Sequence, residues 1–156
     1  GLINATIPVL LPELHALSDG PNELTSEQFP FILSAGERRP YTANTILRGK
    51  DWRKKDAEGA LRISPEDASD LGLDSGDYRI LTTASGSVSG VVEISTRMAR
   101  GHISLPNGFG LDSATGKDSF KRAGIATNEL TAAADRDFLA GTPRHKQVPA
   151  NLSQAF

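Results

Sequence analysis

A chain of 156 residues that is 38% hydrophobic and 23% charged has enough apolar side chains to bury one domain core without disulfides or a structural metal. The absence of cysteine excludes a disulfide framework, a thiolate zinc site, a Cys-held iron–sulfur cluster and a thiol nucleophile from this sequence, and His15, His102 and His145 lack metal-ligand spacing. A net charge of −2 conceals blocks: residues 37–62 and 96–156 are basic and residues 63–95 acidic, as expected of loops that meet an anionic partner on a near-neutral body.

No apolar run approaches the roughly 20 residues of a membrane-spanning helix. Residues 7–11 are too short and proline-broken to be a secretory signal. Aromatic residues make up 6% of the chain, too few for the stacking platforms of a nucleic-acid binder. These features predict a cytoplasmic protein, monomeric in isolation, that engages neither membrane nor nucleic acid.

Residues 9–18 read as a short amphipathic helix with Pro12 in its first turn, ended by the turn at Asp19 and Gly20. Residues 29–35 read as a buried strand. Residues 36–52 follow without period, rich in Arg, Thr and Asn, and long unperiodic segments in compact domains are often functional. After a short strand at 60–63, Ser64 is placed to cap a helix, with Pro65 at its first position, Asp67 bonding back, and Gly72 as its stop. Capping and turns alone account for Asp67, Gly72, Gly76 and Asp77. Residues 78–83 and 87–95 alternate as the two strands of a hairpin, with Val88, Val92 and Ile94 on one face. A short strand at 102–105 comes next. From Pro106 the chain is rich in Gly, Asn and Asp, with an ordered stretch expected within 125–134 and a last strand at 146–152. Short strands, one two-turn helix and Gly-punctuated turns predict a mainly β protein, a closed barrel with short helices, and the lack of βαβ alternation excludes a Rossmann-type sheet.

Read in order, four blocks make a specific pattern. FPFILSAGERRPYTANTILRGKDWR ends a strand in Gly-x-Arg. LRISPEDASDLGLDSGDYRILTTASGSVSGVVEIS is strand, capped helix and hairpin. ARGHISLPNGFG is a strand closing in Leu-Pro, and GIATNELTAAADRDFLAGTPRHKQVPANL joins an Asn-x-Leu-Thr segment to a Thr-Pro-x-x-Lys segment and a final strand. This order resembles the molybdopterin dinucleotide-binding domain that closes molybdenum and tungsten oxidoreductases such as formate dehydrogenases and nitrate reductases. The resemblance runs from about Phe29 to Leu152. It divides the chain into a lead-in linker and helix (1–28) and the binding domain proper (29–156).

The resemblance implies a double-psi β-barrel, of the aspartate-decarboxylase-like kind, that holds a molybdopterin guanine dinucleotide, with the metal and the remaining domains belonging to a parent enzyme. It implies no catalytic residue and no metal ligand in this sequence. Residue chemistry then nominates a site. Gly36 lets the backbone approach a phosphate, and Arg38 or Arg39 supplies a bidentate charge. Asn44, Thr45, Asn107 and Gly108 offer neutral donors and acceptors. Asn128 and Thr131 suit the polar edges of a pterin, and Lys146 a phosphate or pterin oxygen. The sequence departs from the family pattern in two places. Glu37 follows Gly36 where Arg is common, leaving open which of Arg38 and Arg39 faces the cofactor. Asn107-Gly108-Phe109-Gly110 stands where a His or Trp is often found.

Other barrels of this kind offer alternatives. A self-processing decarboxylase would cleave before Ser87 of the Gly86-Ser87 pair, although Gly-Ser in a hairpin is ordinarily a turn. A peptide- or adaptor-binding module, as at the N-terminus of AAA-type unfoldases, would carry no cofactor, and the Arg-rich 36–53 segment argues against it.

Overall fold

The computed structural model describes residues 7–16, 23–39, 56, 58–110, 112–114, 120–122, 124–138 and 140–154. Ten regular elements occur among them, besides two 3-10 turns: α1 (Leu11–Ala16), β1 (Phe31–Glu37), β2 (Leu61–Ile63), α2 (Pro65–Leu71), β3 (Tyr78–Thr83), β4 (Gly86–Ile94), β5 (His102–Pro106), β6 (Asp112–Ala114), β7 (Phe120–Arg122) and β8 (Val148–Gln154).

Six strands close a barrel in the order β1-β5-β2-β4-β3-β8. The pairs β1–β5 and β2–β4 are parallel, and the rest are antiparallel. Parallel pairs require crossover connections, so this is not an up-and-down barrel. The mainly β barrel with short helices expected from the sequence is therefore present. Closure removes the free strand edges that an open sheet of this size would expose.

The core follows from alternation. β1 places Phe31, Leu33 and Ala35 inward, and the other strands add Leu61, Ile63, Leu81, Val92, Ile103 and Leu105. Val88 and Ile94 pack against the same core from the hairpin face predicted for them.

α2 is fixed by local rules. The Asp67 amide donates to Ser64 Oγ at 3.0 Å, Ser64 Oγ donates to the Asp67 carboxylate at 2.8 Å, and Gly72 closes the helix in the left-handed region at φ 61°. The Asp67 carboxylate also accepts from the Gly101 amide at 2.7 Å, tying the helix to the entry of β5.

The structure differs from the sequence reading in three places. β1 begins two residues later than expected, after Pro30, which has no amide to donate. It runs on to Glu37 because a bulge between Ala35 and Glu37 keeps Glu37 paired with Pro106. The N-terminal segment forms a 3-10 turn (Pro8–Leu10) and the short α1, but buries no residue, and Ile7, Val9, Leu11 and Leu14 are exposed. Its apolar stripe finds no surface among the described residues. Finally, β6 and β7 pair as a two-stranded sheet within a stretch whose composition reads as loop.

A candidate dinucleotide cleft at one end of the barrel

At the end of β1 the chain leaves the barrel wall through Gly36, whose φ of +91° suits glycine alone. The next residues divide in function. Arg38 is exposed and lines an open cleft of about 740 Å³. Arg39 turns the other way and is 3% exposed. Its guanidinium donates to Glu37 (3.0 Å), to Asp56 (2.9 Å) and to the Ala60 carbonyl (2.8 Å), with Glu93 at 3.8 Å. Arg62 extends the cluster by pairing with Glu37 at 2.7 Å and Glu93 at 3.0 Å. Burial pushes the Glu37 carboxyl upward, but the Ser104 hydroxyl donating to it and the Arg39 and Arg62 charges outweigh this and hold it below the ordinary carboxylate value. For Arg62, burial disfavours the charge, while the hydrogen bond to Glu93 and the attraction of Glu37 more than restore it, so its value is raised.

The cleft is assembled from four segments far apart in sequence. Gly36 and Arg38 come from the end of β1, Asn107 follows β5, Thr127, Asn128 and Thr131 come from the segment after β7, and His145 and Lys146 precede β8. Backbone bonds hold these segments in place. The Ala35 amide donates to the His145 carbonyl at 2.8 Å, and the Asn107 amide to the Glu37 carbonyl at 3.2 Å. Thr83 Oγ1 at the end of β3 donates to the Leu130 carbonyl at 2.9 Å. The 127–131 segment lies so close over the β3–β4 turn that a Cβ on Gly86 would stand 2.8 Å from the Glu129 carbonyl oxygen.

Six of the nominated residues thus meet in one cleft: Gly36, Arg38, Asn107, Asn128, Thr131 and Lys146. Gly108 sits in the exposed turn beside Asn107 and does not line it. Arg39 belongs to the buried ionic cluster, because its neighbour takes the outward-facing position at the strand exit. Asn44 and Thr45 lie outside the described residues. His145 was not singled out by sequence. Its only signal was a place between Pro143 and Lys146, and its position in the cleft depends on the β1 contact just described.

A family model described as "Molydopterin dinucleotide binding domain", that is, the molybdopterin dinucleotide-binding domain, matches residues 31–149. The chain belongs to this family. No curated protein sequence matches it. Among solved structures, acetylene hydratase from Pelobacter acetylenicus is similar over 83% of this chain, with a TM-score of 0.68 and 19% identity, which speaks to the fold. The chain spans only 19% of that protein's length.

The cleft residues fit a molybdopterin dinucleotide. Its phosphates need cations and close backbone approach, and Arg38, Lys146 and Gly36 bring these to the cleft. Its rings carry N–H donors, and Asn107 Oδ1 is a buried acceptor with no donor among the described residues. Among the same residues, no group of His, Asp and Glu has the arrangement of a metal site, and no helix is long and apolar enough to cross a membrane.

Proposed function

We propose that this domain grips the guanine dinucleotide form of molybdopterin as the closing domain of a larger molybdenum or tungsten oxidoreductase, and that formate dehydrogenase-like enzymes are the parent type. The observation that carries the reading is the convergence of Gly36, Arg38, Asn107, Asn128, Thr131 and Lys146 on one open cleft in a member of a dinucleotide-binding family. Arg38 and Lys146 neutralise phosphate, Gly36 admits it to the backbone, and Asn107, Asn128 and Thr131 bond the polar ring edges. When bound, the dinucleotide carries the metal and the redox chemistry, and the residues described here bind, orient and shield it. The cleft is open, and the remaining domains of the parent would close it. A cofactor-free adaptor module finds no support in the family match.

The test is an amide-resolved NMR titration of the chain with GDP. Shifts at Gly36, Arg38, Asn107, Asn128 and Lys146 are expected. Arg38→Glu and Lys146→Glu should each weaken binding by about tenfold or more, more strongly at low salt. Equal GDP binding by the wild type and both charge reversals would overturn the proposal.

A further inference from the structure

Asn107 has a chemistry of its own, separate from its place in the cleft. The sequence contains a single Asn-Gly pair, Asn107-Gly108, where the chain leaves β5 after Pro106. The backbone nitrogen of the residue after an asparagine can attack its side-chain carboxamide, and glycine in that place removes the Cβ that would hinder the approach. Both partners in this reaction are free in the structure. Gly108 is exposed, lies in the left-handed region at φ +81°, and its amide donates no hydrogen bond among the described residues. The Asn107 carboxamide makes none there either, and its Oδ1 is buried without a donor. Such an oxygen has lost its bond to water and gained nothing in exchange, so the carboxamide gives up no interaction when it swings toward the backbone.

The other two asparagines among the described residues are protected. Asn128 is followed by Glu129, whose amide is committed to the Ala126 carbonyl at 3.0 Å. Asn151 lies inside β8, opposite Thr82, and is followed by Leu152, which pairs with Leu81. In both cases the following residue carries a Cβ and its backbone is held in regular structure.

We infer that Asn107 is a self-modification site whose conversion places a negative charge in the cleft. The Gly108 nitrogen bonds to Asn107 Cγ, the Cγ–Nδ2 bond breaks, and Nδ2 leaves as ammonia, completed by the proton that the Gly108 amide gives up through solvent. Water then opens the resulting succinimide. Cleavage between Cγ and the Gly108 nitrogen leaves aspartate at 107, and cleavage between the Asn107 carbonyl carbon and that nitrogen leaves isoaspartate, with the main chain rerouted through the side chain. Water is the sole co-reactant, and nothing is oxidised or reduced. Either product carries a carboxylate where a neutral amide stood. Asn107 shares the cleft with Arg38 and Lys146, so the new charge draws on both cations and repels phosphate. The grip on an anionic ligand therefore weakens as the protein ages. This consequence rests on the reading of the cleft as a dinucleotide site, whereas the conversion itself does not.

The experiment is to age the full chain at mildly alkaline pH and map its peptides by mass spectrometry. The Asn107 peptide should gain the mass difference between an acid and an amide and split into two species, aspartyl and isoaspartyl, while the Asn128 and Asn151 peptides stay amidated. Gly108→Ala, which restores the hindering Cβ, should keep Asn107 amidated for longer. Alanine is strained at that φ, so Asn107→Gln, whose longer side chain would have to close a larger ring, checks the same point with Gly108 in place. In an NMR titration with inorganic pyrophosphate, Asn107→Asp should bind about tenfold more weakly than Asn107→Gln, the neutral change at the same position. An Asn107 peptide that converts no faster than those of Asn128 and Asn151 would overturn the inference, as would an Asn107→Asp variant that binds pyrophosphate as tightly as Asn107→Gln. If freshly prepared wild-type protein binds no pyrophosphate, the dinucleotide reading of the cleft falls instead, and the peptide map still judges the conversion.

Discussion

Replacing Arg39 by Ala should destabilise the domain severely while the same change one residue earlier should not. Arg39 is nearly sealed from solvent and joins Glu37, Asp56 and the Ala60 carbonyl. Removing one member of a buried ionic cluster costs about 3–5 kcal/mol, because the remaining charges are left desolvated and unpaired. Here the side chains of Glu37, Asp56 and Glu93 keep 27%, 13% and 39% of their exposure, so water recovers part of the loss. The expected cost is therefore at the low end, about 3 kcal/mol. Urea unfolding reads this directly: with an m-value of about 2 kcal/mol/M, the midpoint should fall by about 1.5 M. Arg38→Ala is the internal control, since an exposed side chain away from buried partners should change stability by no more than about 0.5 kcal/mol. Ligand binding should show the reverse order, with Arg38→Ala losing affinity for GDP. Equal, small midpoint shifts for the two variants would refute the assignment of one arginine to the wall and the other to the cleft.

Three further outcomes are expected. The Glu37 carboxyl lies below its unfolded value, so its contribution is fully present above that value and is lost as pH falls through the folded one. Glu37→Gln should therefore cost stability at neutral pH by an amount that shrinks below about pH 4, seen in urea midpoints across the acid range. Ser64→Ala removes both the cap on the Asp67 amide and the hydroxyl donated to its carboxylate, and should cost about 1–2 kcal/mol in the same assay. Gly86→Ala would drive a methyl group into the Glu129 carbonyl, costing about 1–3 kcal/mol and shifting the amides of Asn128 and Thr131, whereas Gly72→Ala, with open space around it, should cost about 1 kcal/mol from its positive φ alone.

The parts of the fold that sequence reveals are those governed by neighbours along the chain. The 78–94 hairpin shows as alternation broken by a turn, and α2 is spelled by Ser64, Pro65, Asp67 and Gly72, each acting within one helical turn. The parallel pairings of β1 with β5 and of β2 with β4 join segments tens of residues apart, and no local pattern encodes them; only the ordered resemblance to a family does so. Alternation likewise says that Arg38 and Arg39 face opposite ways, but not which faces inward. That depends on the bulge at Gly36, which alters the count by one. The apolar face of the amphipathic segment at residues 9–18 was legible, yet it reports a face to be covered and not what covers it.

That bulge explains why a wall and a binding site can share one strand. Without it, continuing β1 in register would leave Glu37 out of step with its partner on β5. With it, the strand keeps its bond to the His145 carbonyl through Ala35 and its pairing to Pro106 through Glu37, so the two loops that flank the cleft hang from the residues on either side of Gly36 in the same strand. Glu37 then faces Ser104 and Arg62 on the barrel wall, and its pairing with Arg39 fixes the direction in which the chain departs. Arg38, between two residues whose side chains are committed to the wall, is left to point into the cleft. The charge pattern follows from the same geometry. Of the basic residues clustered in 37–62, Arg39 and Arg62 neutralise the carboxylates of the wall, and Arg38 is the one that the described strand exit makes available to an anion. A basic stretch in a sequence is thus partitioned by strand register into structural and binding charges. For this domain, the residue that sets the partition is Gly36, which carries no charge.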